Sequence, residues 1–160
     1  MLKKVIFSIL LFASTSTYSE DVVQEVSNPL IQHIAEEYSI DPTRANTILS
    51  KVSGLVDAKF PRKTDVLAII AIESRFKSRA RSSHGAKGLM QVLYKNTTTD
   101  WDNISAGVAL LREYRKRLGS EVAAIHAYNV GIGNYLKGRR VSRYYSKYVV
   151  AKNKLQVHAV

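Results

Sequence analysis

A run of seven residues, Val66-Leu67-Ala68-Ile69-Ile70-Ala71-Ile72, constrains this chain more than any other stretch. Wound as a helix it is apolar all round, so it has no face to show to water and belongs at the centre of a fold. Thr64 is placed to cap its N-terminus, and Asp65 sits favourably against the positive end of its dipole. Glu73 follows directly, seven residues after Val66, four after Ile69 and three after Ile70. That spacing puts a carboxylate on the apolar stripe of the most hydrophobic helix. The 160 residues, 46% hydrophobic and 23% charged, suffice for one core around such a helix and not for two.

The remaining segments read as helices laid around it. Ser27-Asn28-Pro29 and Asp41-Pro42 each join a capping residue to a proline, a helix-start signal. They predict a helix over Leu30 to Tyr38 and a second with Ile48, Val52, Leu55 and Val56 on its stripe. Asp57 to Arg62 reads as a turn, Ser78 to Lys87 as a polar loop, and Asn96 to Thr99 as a second polar stretch. Asn103 opens a helix with Ile104, Gly107, Val108, Leu111 and Tyr114 on one face, ended by Gly119. Ser120 caps a further helix over Glu121 to Asn129, which Gly131 and Gly133 break, and a basic, tyrosine-rich helix runs from Ser142 to about Lys154. No strand pattern is strong, so the class is all-α with at most a minor irregular β element.

The first residues have a different character. Lys3 and Lys4 precede an apolar run from Val5 to Ala13, and Ser14 to Ser19 is mostly small and polar. This three-part pattern is that of a secretory signal peptide over residues 1–19, with Thr17 and Ser19 as the small residues before a cut. The expected order is therefore a leader, a helical lead-in over 20–61 and a catalytic domain over 62–155, in a periplasmic or secreted protein without stable membrane insertion once the leader is gone. Cysteine is absent, which excludes a disulfide framework and a lipid-modified cysteine. Formal charge is +11, from 24 basic against 13 acidic residues; loss of Lys3 and Lys4 with the leader leaves +9. Such a surplus suits a polyanionic partner, and export points to the acidic bacterial wall rather than to nucleic acid, for which no motif is present.

Burying an unpaired carboxylate costs several kcal/mol, so a Glu on an apolar stripe tends to keep its proton. A proton retained near neutral pH is what a general acid needs. From spacing alone, Glu73 is equally consistent with a solvated residue at a helix end, paired with Arg75 or Arg79.

The neighbouring residues add to this. Glu73-Ser74-Arg75-Phe76, then Ala80, Ser82, Gly85-Ala86 and Gly88-Leu89-Met90-Gln91 stand in order. Asn103-Ile104 with Gly107, Ala127-Tyr128-Asn129 with Gly131, and Tyr148-Val149 come after them. Over residues 62 to 150 this order resembles the soluble-type lytic transglycosylases, a goose-lysozyme-like family. The resemblance implies a lysozyme-like single domain around the buried helix, acting on peptidoglycan strands with no metal or cofactor. It implies Glu73 as the sole catalytic acid and then base, and Ser82 as the residue that orients its carboxyl. It further implies Gln91 in the sugar groove, Tyr128 and Asn129 across the cleft, and Tyr148 as a late tyrosine approaching the catalytic site. Read as residues alone, Ser82 and Gln91 fit a loop facing water, Tyr128 a packed aromatic, and Tyr144, Tyr145 and Tyr148 the packing face of a terminal helix. His84 and His126 have no second ligand at metal spacing.

The chain departs from the family where Val92-Leu93-Tyr94-Lys95-Asn96 replaces the usual proline and threonine, and Gln91 to Asn103 is short. One wall of the groove is expected to differ for that reason. The implied reaction breaks the β-1,4 bond after N-acetylmuramic acid and leaves a 1,6-anhydro end. A hydrolytic muramidase using water held by Asp100 or Asp102, and a non-catalytic wall-binding module, are the alternatives. A secretion, conjugation or pilus apparatus is a candidate partner.

Overall fold

The computed structural model describes residues 28–93 and 98–159. The expectations for the leader and its acidic continuation, and for Tyr94 to Thr97, lie outside the described residues. Seven helices run through the described residues: α1 (Pro29–Tyr38), α2 (Pro42–Ser53), α3 (Lys63–Ser74), α4 (Asp100–Leu118), α5 (Glu121–Val130), α6 (Ile132–Leu136) and α7 (Ser142–Val157). The only β structure among these residues is a pair of isolated bridges, Arg81 with Lys87 and Lys87 with Val92. The fold is all-α with that small irregular element.

Helix α3 is the centre. Every residue from Asp65 to Ala71 is buried, and full burial of each Val, Leu or Ile side chain contributes about 1.5–3 kcal/mol. Helix α7 packs along it, α5 packs on α4, and α1 on α2. Leu30, Ile31 and Ile34 of α1 and Ala45, Ile48 and Val52 of α2 belong to the same continuous core as α3, Ile104, Leu111 and Leu155. No helix among the described residues is long and apolar enough to cross a membrane.

The local signals mostly act as expected. The Asn28 side chain accepts from the Leu30 N–H, Asp41 from that of Arg44, and Ser120 from that of Ala123. Several readings differ. Helix α2 ends at Ser53, short of Leu55 and Val56. Helix α4 begins at Asp100 rather than Asn103, because Thr99 and Asp102 cap each other's backbone N–H groups. Gly133 lies inside α6 and only Gly131 breaks the chain. Thr64 does not cap α3; the Arg62 backbone N–H donates to Asp65 at 2.8 Å instead. Asp65 is fully buried, and that burial draws it into a network rather than leaving it at a dipole.

The end of α3 fixes the path of the chain beyond Glu73. Arg75 and Phe76 both adopt left-handed backbone, φ 51° and 61°, a conformation that costs a non-glycine residue of order 1–3 kcal/mol. Burial of Phe76 against the Tyr38 ring, centroids 4.8 Å apart, offsets that cost and turns the chain sharply off the helix.

Candidate active site

Glu73 occupies the last turn of α3 and opens into a cleft of about 720 Å³ that Ser82, Gln91, Tyr128 and Asn129 also line. Five of the six residues singled out in the sequence are thus brought together. Glu73 is the sole carboxylate among the described lining residues. Asp100 pairs with Arg44 elsewhere, Asp102 caps α4, and exposed Glu113 pairs with Arg117. Among the described residues no His, Asp and Glu group could hold a metal ion.

The Glu73 carboxyl accepts one hydrogen bond, from the Tyr144 hydroxyl at 2.7 Å. Burial pushes its pKa up, and the phenol's hydrogen bond offsets part of that rise by favouring the anion. Tyr144 is itself held far above the ordinary phenol range by burial and by the Glu73 charge beside it, so it stays protonated and donates. The arrangement holds Glu73 above the ordinary carboxylate range and sets a neutral donor beside it.

Tyr148 is placed differently from the expectation. Its hydroxyl donates to Asp65 at 2.6 Å, and Tyr144, one turn earlier, takes the position beside Glu73. Helices α3 and α7 run antiparallel, so advancing one turn along α7 moves away from Glu73 toward the start of α3. Asp65 also receives the Lys152 ammonium at 2.7 Å. Burial alone drives its pKa upward, but hydrogen bonds from Lys152, Tyr148 and the Arg62 N–H outweigh it and hold the carboxyl below its ordinary value. This buried staple sets the register that delivers Tyr144. Neither role was legible in the sequence.

One wall of the cleft is the turn through Gly88 to Gln91. The Asn103 side chain accepts from the Met90 N–H at 2.7 Å and donates to the Lys87 carbonyl at 2.8 Å. The Tyr128 hydroxyl donates to the Met90 carbonyl at 2.7 Å. The motifs separated in sequence are therefore parts of one clasp. Gln91, at φ 50°, spends its amide nitrogen on the carbonyls of Ala80 and Gly88, at 3.1 and 2.8 Å, so it shapes the wall. Ser82 lines the cleft, but its hydroxyl oxygen accepts from the Ala86 N–H at 3.0 Å and closes its own loop. Asn129 is exposed at the rim.

Gly88 has φ 79°, and a Cβ there would lie 2.5 Å from Asn103 Nδ2. Gly88→Ala is expected to destabilise the protein by about 1–3 kcal/mol, through backbone strain and a broken clasp. Chemical denaturation would show it as a lower midpoint at unchanged slope.

Removing the Tyr144 hydroxyl removes what lowers the Glu73 pKa. In Tyr144→Phe the alkaline limb of a pH–rate profile is expected to move to higher pH, because the acid form then persists further. A limb that stays in place or moves down would refute this pairing.

A mostly helical domain thus presents one half-buried carboxyl, Glu73, in an open cleft, with no second carboxylate among the described lining residues. The transglycosylase SLT domain family matches residues 61–150, and the chain belongs to that family, whose members act on peptidoglycan. No solved structure matches the chain.

Proposed function

We propose that the protein is a lytic transglycosylase that cleaves the β-1,4 bond between N-acetylmuramic acid and N-acetylglucosamine without water. The observation that carries this is Glu73, a single carboxyl with a raised pKa in a cleft with no second carboxylate among its described lining residues. Most glycosidases that use water or a covalent intermediate work with a carboxylate pair. One group suffices when the substrate supplies the rest. Glu73 gives its proton to the bridging oxygen as the C1–O bond breaks, and the 2-acetamido oxygen steadies the cationic C1. The C6 hydroxyl oxygen then bonds to C1, and its proton returns to Glu73. The enzyme ends in its starting state, and the product carries a 1,6-anhydro ring.

The basic, then apolar, then small-residue beginning of the sequence supports export to the periplasm or beyond, where this polymer lies. An envelope-spanning secretion, conjugation or pilus apparatus that needs a local gap in the wall fits as a partner. Mass spectrometry of purified sacculi digested with the protein tests the reaction. Anhydro ends are expected; reducing ends would replace this reading with hydrolysis.

A further inference from the structure

On the other flank of the α3 C-terminus, α1, α3 and α7 enclose a second depression of about 540 Å³. Arg75, Arg143, Lys147 and Lys154 line it against one carboxylate, Glu37. Lys154 takes up that carboxylate at 3.1 Å, while Arg75, Arg143 and Lys147 make no ion pair among the described residues. The walls between these cations are apolar: the Tyr38 ring beneath the Arg75 guanidinium, and Val150, which is 58% exposed. Four cations against one carboxylate, around exposed aliphatic surface, favour an occupant carrying several carboxylates between short aliphatic groups.

We propose that this depression binds the peptide stem that hangs from the glycan strand, an inference that rests on the peptidoglycan-cleaving function above. The stem is joined to N-acetylmuramic acid and presents free carboxylates between alanyl methyls and methylene chains. Position supports the match. Arg75 lies two residues beyond Glu73, and Arg143 immediately precedes Tyr144, whose hydroxyl holds Glu73. Helices α3 and α7 carry both this depression and the Glu73–Tyr144 pair, so a stem bound here adds affinity for peptide-bearing strands. Arg143 and Lys147 are exposed and act on the peptide, not on the reacting atoms.

The test titrates the intact protein, by amide NMR, with the free tetrapeptide L-Ala-γ-D-Glu-meso-diaminopimelyl-D-Ala. Shifts at Arg143, Lys147 and Val150 that weaken with added salt are expected. The double variant Arg143→Gln/Lys147→Gln should bind about tenfold more weakly. On intact strands its kcat/KM should fall about tenfold, while strands stripped of peptide by an amidase should be cleaved as fast as by the wild type. Absence of tetrapeptide shifts at this depression, or an equal loss on both kinds of strand, would overturn the proposal. Cleavage of neither strand by the wild type would instead remove the proposed function, and the tetrapeptide titration would still decide whether the depression takes this ligand.

Discussion

Glu73→Gln is expected to slow the digestion of sacculi by about 10³- to 10⁴-fold while the protein remains folded. The amide matches the carboxyl in shape, and its oxygen still accepts the Tyr144 hydroxyl. What is lost is the ability to give a proton and take one back, and no other carboxylate among the described residues lines the cleft to replace it. The stability effect has a definite sign. A carboxyl whose folded pKa lies above its unfolded value binds protons more tightly when folded, so its ionised form weakens folding as pH rises between the two values. Near neutral pH the Gln variant should melt no lower than the wild type, and the difference should shrink toward pH 4. Turbidity loss of sacculi and thermal melting at two pH values check both parts. Retained digestion would remove Glu73 from the mechanism, and a melting point far below the wild type would assign it a structural role.

Asp65→Ala is expected to carry the largest stability loss, about 3–5 kcal/mol, because it strands partners inside the core. The Tyr148 hydroxyl and the Lys152 ammonium both lose their acceptor, and the α3 N-terminus loses the side chain that binds the Arg62 N–H. Activity should fall too, since α7 carries Tyr144 to Glu73. The pH dependence runs opposite to that of Glu73. The folded-state pKa of Asp65 is depressed, so its contribution is present above the unfolded value of about 3.9 and is lost as pH falls through the lower folded value. The stability gap between wild type and variant should therefore stay constant through neutral pH and narrow only in strong acid. Equal melting of the two proteins at neutral pH would show that the network contributes nothing.

What was legible in the sequence was local. A proline beside Asn28 or Asp41, and a serine at 120 before a helical pattern, commit their backbone N–H groups within three residues, so the helix starts could be read directly. The all-apolar stretch placed α3 at the centre because no arrangement hides it at a surface. Five cleft residues were legible through ordered motifs, although their bonding was not. Gln91 was expected in the sugar groove and Ser82 against the Glu73 carboxyl, yet both side chains also close loops of the protein itself. Asn103 looked like a helix start and is instead the clasp on Met90. The choice between Tyr144 and Tyr148 lies beyond local reading altogether. The two sit on one face of α7, one turn apart, and only the antiparallel register against α3 decides which meets Glu73 and which meets Asp65. Thr99 and Asp102 did carry a usable signal, a capping pair at the right spacing, of which only Thr99 fell in the stretch read as polar.

The proposed chemistry needs a proton held by Glu73, and a carbon-detected NMR titration of its side-chain carboxyl in the intact protein measures that proton directly. The midpoint is expected above the value of about 4.3 for an unperturbed glutamate, and higher again in Tyr144→Phe. A midpoint at or below that value, unmoved by the Tyr144 substitution, would contradict it.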